Sequence, residues 1–210
     1  MNILIMGDSW AADWSSKYTD YAGWPELIAE QLTVTNIAQA GVSQYSIYKQ
    51  FEQLDHYEYD KIIISITSPY RLYTPQHPYH TTGLHQNADL IYADCEYHAS
   101  QHPDNESLVT AANYFKHHFD TEYAELLHHV WVDKCLDQCN PDKTIVTSNI
   151  QHNSEYVAVH QYVDGYPVWQ SYPGKINHLN ESERIGEIAR MLGGVKVTDK
   201  AIDHAKEILG

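Results

Sequence analysis

Apolar positions along the chain follow two alternating rhythms. Residues 2–6 (NILIM) and 61–67 (KIIISIT) are continuous apolar runs, the pattern of strands buried on both faces of a sheet. Residues 34–38 and 144–150 (TIVTSNI) are of the same kind, and 156–162 predict a further strand. Between these runs the apolar positions recur at helical spacing. Residues 24–32 (WPELIAEQL) predict a helix with Pro25 in its first turn, and 43–54 predict a second with Ser43 as N-cap. A short helix is expected over 11–17 and one long helix over 107–136. Two more are expected over 181–192, closed by Gly193-Gly194, and over 199–209. Strands alternating with helices in this way imply an α/β fold with a mainly parallel sheet.

From residue 70 to 105 the periodicity fails, and Pro, His and Asn take over. So long an irregular stretch is uncommon unless it covers a site. The expected organisation is one domain over 1–210, without repeats or linkers. It carries an insertion at about 72–106 and a helical extension at about 195–210.

Charge narrows the partners. The 210 residues hold 28 acidic and 13 basic side chains, a net charge of −15, which argues against nucleic acid or an anionic membrane surface as partner. No apolar run approaches the roughly 20 residues that span a bilayer, and Met1 leads directly into strand-like sequence rather than a leader. A cytoplasmic protein with no membrane association is expected. Cysteine is odd in number: Cys95, Cys135 and Cys139. Cys135 and Cys139 share a helix face near His128 and His129, but a closed four-ligand zinc pattern is missing, so reduced thiols and no metal are expected. The 14 histidines are scattered from His56 to His204 without an HExxH or His-x-His pair and read mostly as surface residues. The 17 tyrosines offer rings for sugar faces or ligand pockets.

In a parallel α/β sheet, sites form beyond the carboxyl ends of the strands. The first strand delivers Gly7-Asp8-Ser9-Trp10 there and the second delivers Gly41. The third delivers Thr67-Ser68-Pro69-Tyr70-Arg71, and 144–150 delivers Ser148-Asn149. A serine at that edge is a candidate nucleophile if a base reaches it; otherwise it is a helix N-cap. His178, just before the helix expected at 181–192, is the candidate base.

Taken together, ILIMGDSW, GWPELIAEQL, NIAQAGVS, an apolar third strand and a late His before a helix resemble the GDSL/SGNH hydrolase family. The likeness covers roughly residues 1–71 and 174–192, and the middle third has no counterpart. It implies a flavodoxin-like, three-layer α/β/α fold and ester hydrolysis by a Ser–His–Asp triad. Carried over by position, the resemblance makes Ser9 the nucleophile and, through its backbone N–H, one oxyanion donor. Gly41 becomes the second donor and His178 the general base.

Two positions depart from the family pattern. Its third block supplies an Asn donor where this chain reads Ser65-Ile66-Thr67-Ser68-Pro69, which leaves Thr67, Ser68 or Asn149 as candidates. Losing one such donor costs about 10²–10³ in rate. The Asp of its last block falls on Lys175, so Asn177, a backbone carbonyl or a distant acid such as Asp164 is left to orient His178, or Ser9 and His178 work as a dyad. Trp10, Tyr70 and Arg71 are candidate substrate-binding residues, Arg71 as a fork for a carboxylate or else as a surface salt bridge. Asp8 is read as a turn-forming residue. The implied activity is a serine esterase without cofactor, acting on a small acyl ester such as O-acetyl on a carbohydrate. The alternative is a catalytically impaired relative that binds a glycan or a protein through the same cleft.

Overall fold

Five parallel strands form the central sheet of the computed structural model, which describes residues 1–15, 23–148 and the backbone of 161–164. In chain order they are β1 (Asn2–Met6), β2 (Thr33–Asn36) and β3 (Lys61–Ile66), then β6 (Thr144–Ser148) and β7 (Gln161–Asp164). Between β3 and β6, β4 (Arg71–Leu72) and β5 (Leu90–Ile91) pair separately as a small antiparallel ribbon. Side by side the sheet runs β2-β1-β3-β6-β7. Leaving the ribbon aside, this is the 2-1-3-4-5 order of doubly wound flavodoxin-like sheets. The described helices are α1 (Trp24–Ala29), α2 (Gln44–Glu52), α3 (Tyr92–Gln101), α4 (Glu106–His118) and α5 (Thr121–Leu136).

Alternate residues of each strand point to opposite faces, and both faces of this sheet are covered. Leu4, Met6, Ile62, Ile64, Ile66 and Val146 pack against Ile47 and Phe51 of α2 and Val132 and Leu136 of α5. On the other face Ile3, Ile5 and Ile63 pack against Trp10, Ala11 and Trp24 of α1. The result is the expected three-layer α/β arrangement. Each fully buried Leu, Ile or Phe contributes about 1.5–3 kcal/mol, so these two clusters dominate the stability of the sheet.

Ser43 caps α2 as expected, its Oγ accepting the Ser46 N–H at 3.3 Å. Ser43→Ala is expected to lower stability by about 1 kcal/mol, because the freed N–H at the helix start loses its acceptor. A thermal melt followed by circular dichroism should show this as a drop of about 2–4 °C.

Several sequence expectations are corrected. Residues 11–15 hold no helix; the chain after β1 makes a turn. Helix α1 stops at Ala29, short of residue 32. The long helix expected over 107–136 is two, α4 and α5, because Asp120 breaks the run and caps α5 by accepting the Tyr123 N–H at 2.9 Å. The stretch expected to be irregular over 72–106 contains β5 and α3. Only Cys95 of α3 is buried, so the helix has no apolar stripe to announce it. Of the strand expected over 156–162, β7 covers 161–162 and continues to Asp164, while 156–160 lie outside the described residues. The helices expected over 181–192 and 199–209, and the extension at 195–210, also lie outside them.

All three cysteines are buried free thiols, and Cys139 donates its S–H to the Cys135 carbonyl at 3.1 Å. Burial pushes the thiols of Cys95 and Cys139 up to about 11 and that of Cys135 further. Burial thus favours the neutral thiol at all three positions. No described helix is long and apolar enough to cross a membrane.

Candidate active site

Strand order reverses between β1 and β3, and a crevice opens beyond the carboxyl ends at such a point. Gly7 turns the chain out of β1 with φ +147°; a Cβ there would sit 2.5 Å from the Ser65 Cβ and 2.8 Å from the Ser65 carbonyl oxygen. Only glycine fits between those two strands. Its peptide groups are clamped by the buried Gln50 of α2. Gly7 N–H donates to Oε1 at 3.1 Å, and Nε2 donates to the Gly7 carbonyl at 3.3 Å.

Asp8 follows and is almost wholly buried. Its Oδ1 accepts the Trp10 N–H at 3.1 Å and its carbonyl accepts the Ala11 N–H at 3.0 Å, which folds the chain into an Asx turn. Its Oδ2 accepts the Thr67 hydroxyl at 2.8 Å and lies 3.3 Å from Arg71 Nη2. Arg71 Nη1 donates to the Val42 carbonyl at 2.9 Å. One carboxylate and one guanidinium thus join the ends of β1 and β3 to the loop after β2. Asp8 is the turn-forming residue that the sequence suggests. Arg71, expected as a fork for a substrate carboxylate or in a surface salt bridge, is half-buried and pairs with the buried Asp8 carboxylate.

Ser9 rides on this turn, half-buried, and its carbonyl accepts the indole N–H of Trp14 at 2.9 Å. Gly41 lies in the loop after β2 with φ +81°, and a Cβ there would meet the Ala88 Cβ at 2.8 Å. Glycine at this position thus accommodates backbone geometry and a close neighbour from the insertion. Thr67 is fully buried, with its hydroxyl on Asp8 and its N–H on Gln44 Oε1 at 3.4 Å. Its side chain therefore serves the Asp8 network and not an oxyanion. Ser68 is half-buried, and its Oγ accepts the Tyr70 N–H at 3.3 Å. Trp10 had been expected to bind substrate, but only 4% of it is exposed: it packs in the core against α1 and donates nothing to a cleft. Tyr70 is exposed, and its hydroxyl donates to Glu125 of α5. His178, Asn149 and Asn177 lie outside the described residues, as does the side chain of Asp164.

Beside this edge, α2, α4 and α5 enclose a cleft of about 400 Å³ that Ser68 and Arg71 also line. Its wall is aromatic. Tyr45 stands edge-on to Tyr73 with ring centroids 4.7 Å apart and lies 4.6 Å from Trp131, while Tyr114 and Tyr123 complete the lining. The tyrosine-rich composition pointed to such a surface, though the residues that form it were not singled out.

Two residue sets in the insertion were missed as well. Asp89 accepts the Ser43 N–H at 2.6 Å, the Ser46 hydroxyl at 2.7 Å and the Thr74 N–H at 2.9 Å, which ties the insertion to the start of α2. Farther along, the imidazoles of His77, His80 and His98 converge on the carboxylate of Asp94. His77 is buried, an exception to the general reading of the histidines as surface residues. The pairs His77/His80 and Asp94/His98, three and four apart, were the available signal. Models of known protein families do not match the chain, and neither does any curated protein.

Proposed function

We infer that the chain is a serine esterase of the SGNH type, with Ser9 as nucleophile. The observation that carries this reading is the position of Ser9 on a hydrogen-bonded turn at the carboxyl end of β1, where the strand order reverses. In the proposed reaction the Ser9 hydroxyl attacks the ester carbonyl while His178 takes its proton. The N–H groups of Ser9 and Gly41 hold the oxyanion. His178 then protonates the departing alcohol, and water, deprotonated by the same imidazole, releases the acyl group and restores Ser9. The aromatic cleft supports an acylated carbohydrate as substrate, since sugar faces stack on such rings.

Covalent trapping tests the assignment. A fluorophosphonate should add once to the protein, and the modified peptide should be the one that contains Ser9. Absence of that adduct on folded protein overturns the reading. A second reading, a glycan-binding protein without turnover, draws on the Thr67 hydroxyl being held by Asp8 instead of facing a substrate. It predicts no adduct together with measurable glycan binding that substitution of Trp131 reduces.

A further inference from the structure

The histidine-rich segment between β4 and β5 folds against α3 and builds a second cluster, whose reading does not depend on the esterase assignment. The His77 side chain is fully buried, and its Nδ1 accepts the backbone N–H groups of Tyr79 at 3.1 Å and His80 at 3.0 Å. With Nδ1 occupied in this way, the neutral ring carries its proton on Nε2, which faces Asp94 Oδ2 at 3.4 Å. His80 Nε2 lies 3.0 and 3.1 Å from the two Asp94 oxygens. From one helical turn farther along α3, His98 Nε2 lies 3.5 Å from Oδ1. Ligand atoms of His77, His80 and Asp94 all fall within 4.8 Å of one another; His98 lies outside that group and is placed by its approach to the Asp94 carboxylate.

These separations are those of ligands around a small cation. Two donors about 2.0–2.2 Å from one ion at the tetrahedral angle stand roughly 3.3–3.5 Å apart. The His80–Asp94 and His98–Asp94 distances bracket that value.

We propose that His80, Asp94 and His98 bind a divalent transition cation of the zinc class, completed by water, with the buried His77 Nε2 facing the carboxylate from behind at 3.4 Å. Imidazole nitrogen with one carboxylate suits zinc, whereas calcium and magnesium require oxygen-rich shells. In the metal-bound form each ligating imidazole turns its Nε2 lone pair to the cation and keeps its proton on Nδ1. The cation would clip the segment between β4 and β5, through His80, to α3, through Asp94 and His98. The same segment presses Ala88 against Gly41 and anchors Asp89 on α2, so the clip would brace the wall beside the proposed oxyanion donor.

Titrating chelator-treated, full-length protein with zinc chloride in a calorimeter tests the site. One equivalent should bind, and free zinc a hundredfold above Kd should raise the melting midpoint by about 5–10 °C. His80→Ala and Asp94→Asn should each abolish this binding, and His77→Gln should weaken it about 10–100-fold. Should Asp94→Asn fail to fold, His98→Gln serves as the second variant, with at least a tenfold loss expected. The pair His117→Ala and His129→Ala, on exposed helix positions, should leave binding unchanged, and magnesium or calcium chloride should produce no shift. The proposal is overturned if His80→Ala and the folded Asp94 or His98 variant bind zinc as the parent does. It is equally overturned if the parent shows only weak binding at several equivalents, the behaviour of scattered surface histidines.

Discussion

Ser9→Ala is expected to lower kcat for p-nitrophenyl acetate by about 10³–10⁴ while the melting midpoint shifts by no more than about 2 °C. In complete serine triads, removal of the nucleophile costs about 10⁶. This site is proposed to act with two backbone oxyanion donors, because Thr67 is held by Asp8, and a missing third donor already lowers the parent rate by about 10²–10³. The available drop is correspondingly smaller. Stability should change little, because the Asp8 carboxylate, the Gln50 clamp and the Ser9 carbonyl all hold the turn around Ser9 and all survive the substitution. Residual activity measured beside a buffer blank distinguishes the outcomes. Turnover within threefold of the parent would remove Ser9 from the chemistry. His178→Ala should mimic Ser9→Ala, and the parent rate should climb with pH and level off above the ordinary imidazole pKa of about 6.5.

How much of this was legible in the sequence depended on the range of the interaction involved. The strand at Lys61–Ile66 could be read directly, because burial on both faces selects an unbroken apolar run. Ser43 could be read too, since a cap is set by residues three apart. The helix α3 was hidden because it buries almost nothing, and a helix without an apolar stripe has no period to detect. At Asp120 the break between α4 and α5 was masked by strong helix formers on both sides, although the Asp-Thr-Glu run is a start signal. The site divides in the same way. Gly7, Ser9 and Gly41 sit at strand ends that local pattern reveals. Partners brought together by the fold were not legible: nothing near Arg71 in sequence announces Asp8, and His80 meets Asp94 only because α3 folds back on the ribbon. Trp10 was misplaced for a related reason, since an aromatic next to a candidate nucleophile reads as pocket lining until the sheet shows which face it covers.

Arg71→Met is expected to destabilise the protein by about 3 kcal/mol, lowering the melting midpoint by about 6–12 °C. The Asp8 side chain is 1% exposed and that of Arg71 14%, so solvent screens the pair little. Removing the guanidinium leaves a buried carboxylate whose remaining support is the Trp10 N–H and the hydroxyls of Ser65 and Thr67. Deleting one partner of such a pair costs about 3–5 kcal/mol, and those three donors place the value at the low end. The loss of the bond to the Val42 carbonyl also frees the loop that carries Gly41, so activity should fall with stability. A double-mutant cycle separates charge from packing. If the unpaired carboxylate is the cause, Asp8→Asn in the Arg71→Met background should recover about 1–2 kcal/mol, because the burial penalty of the charge disappears with it. If instead the double variant is less stable than Arg71→Met alone, the two losses are independent and Arg71 acts only through its contact with Val42. The pair would then be incidental to the architecture beneath Ser9, and the turn would owe its shape to Gly7 and Gln50.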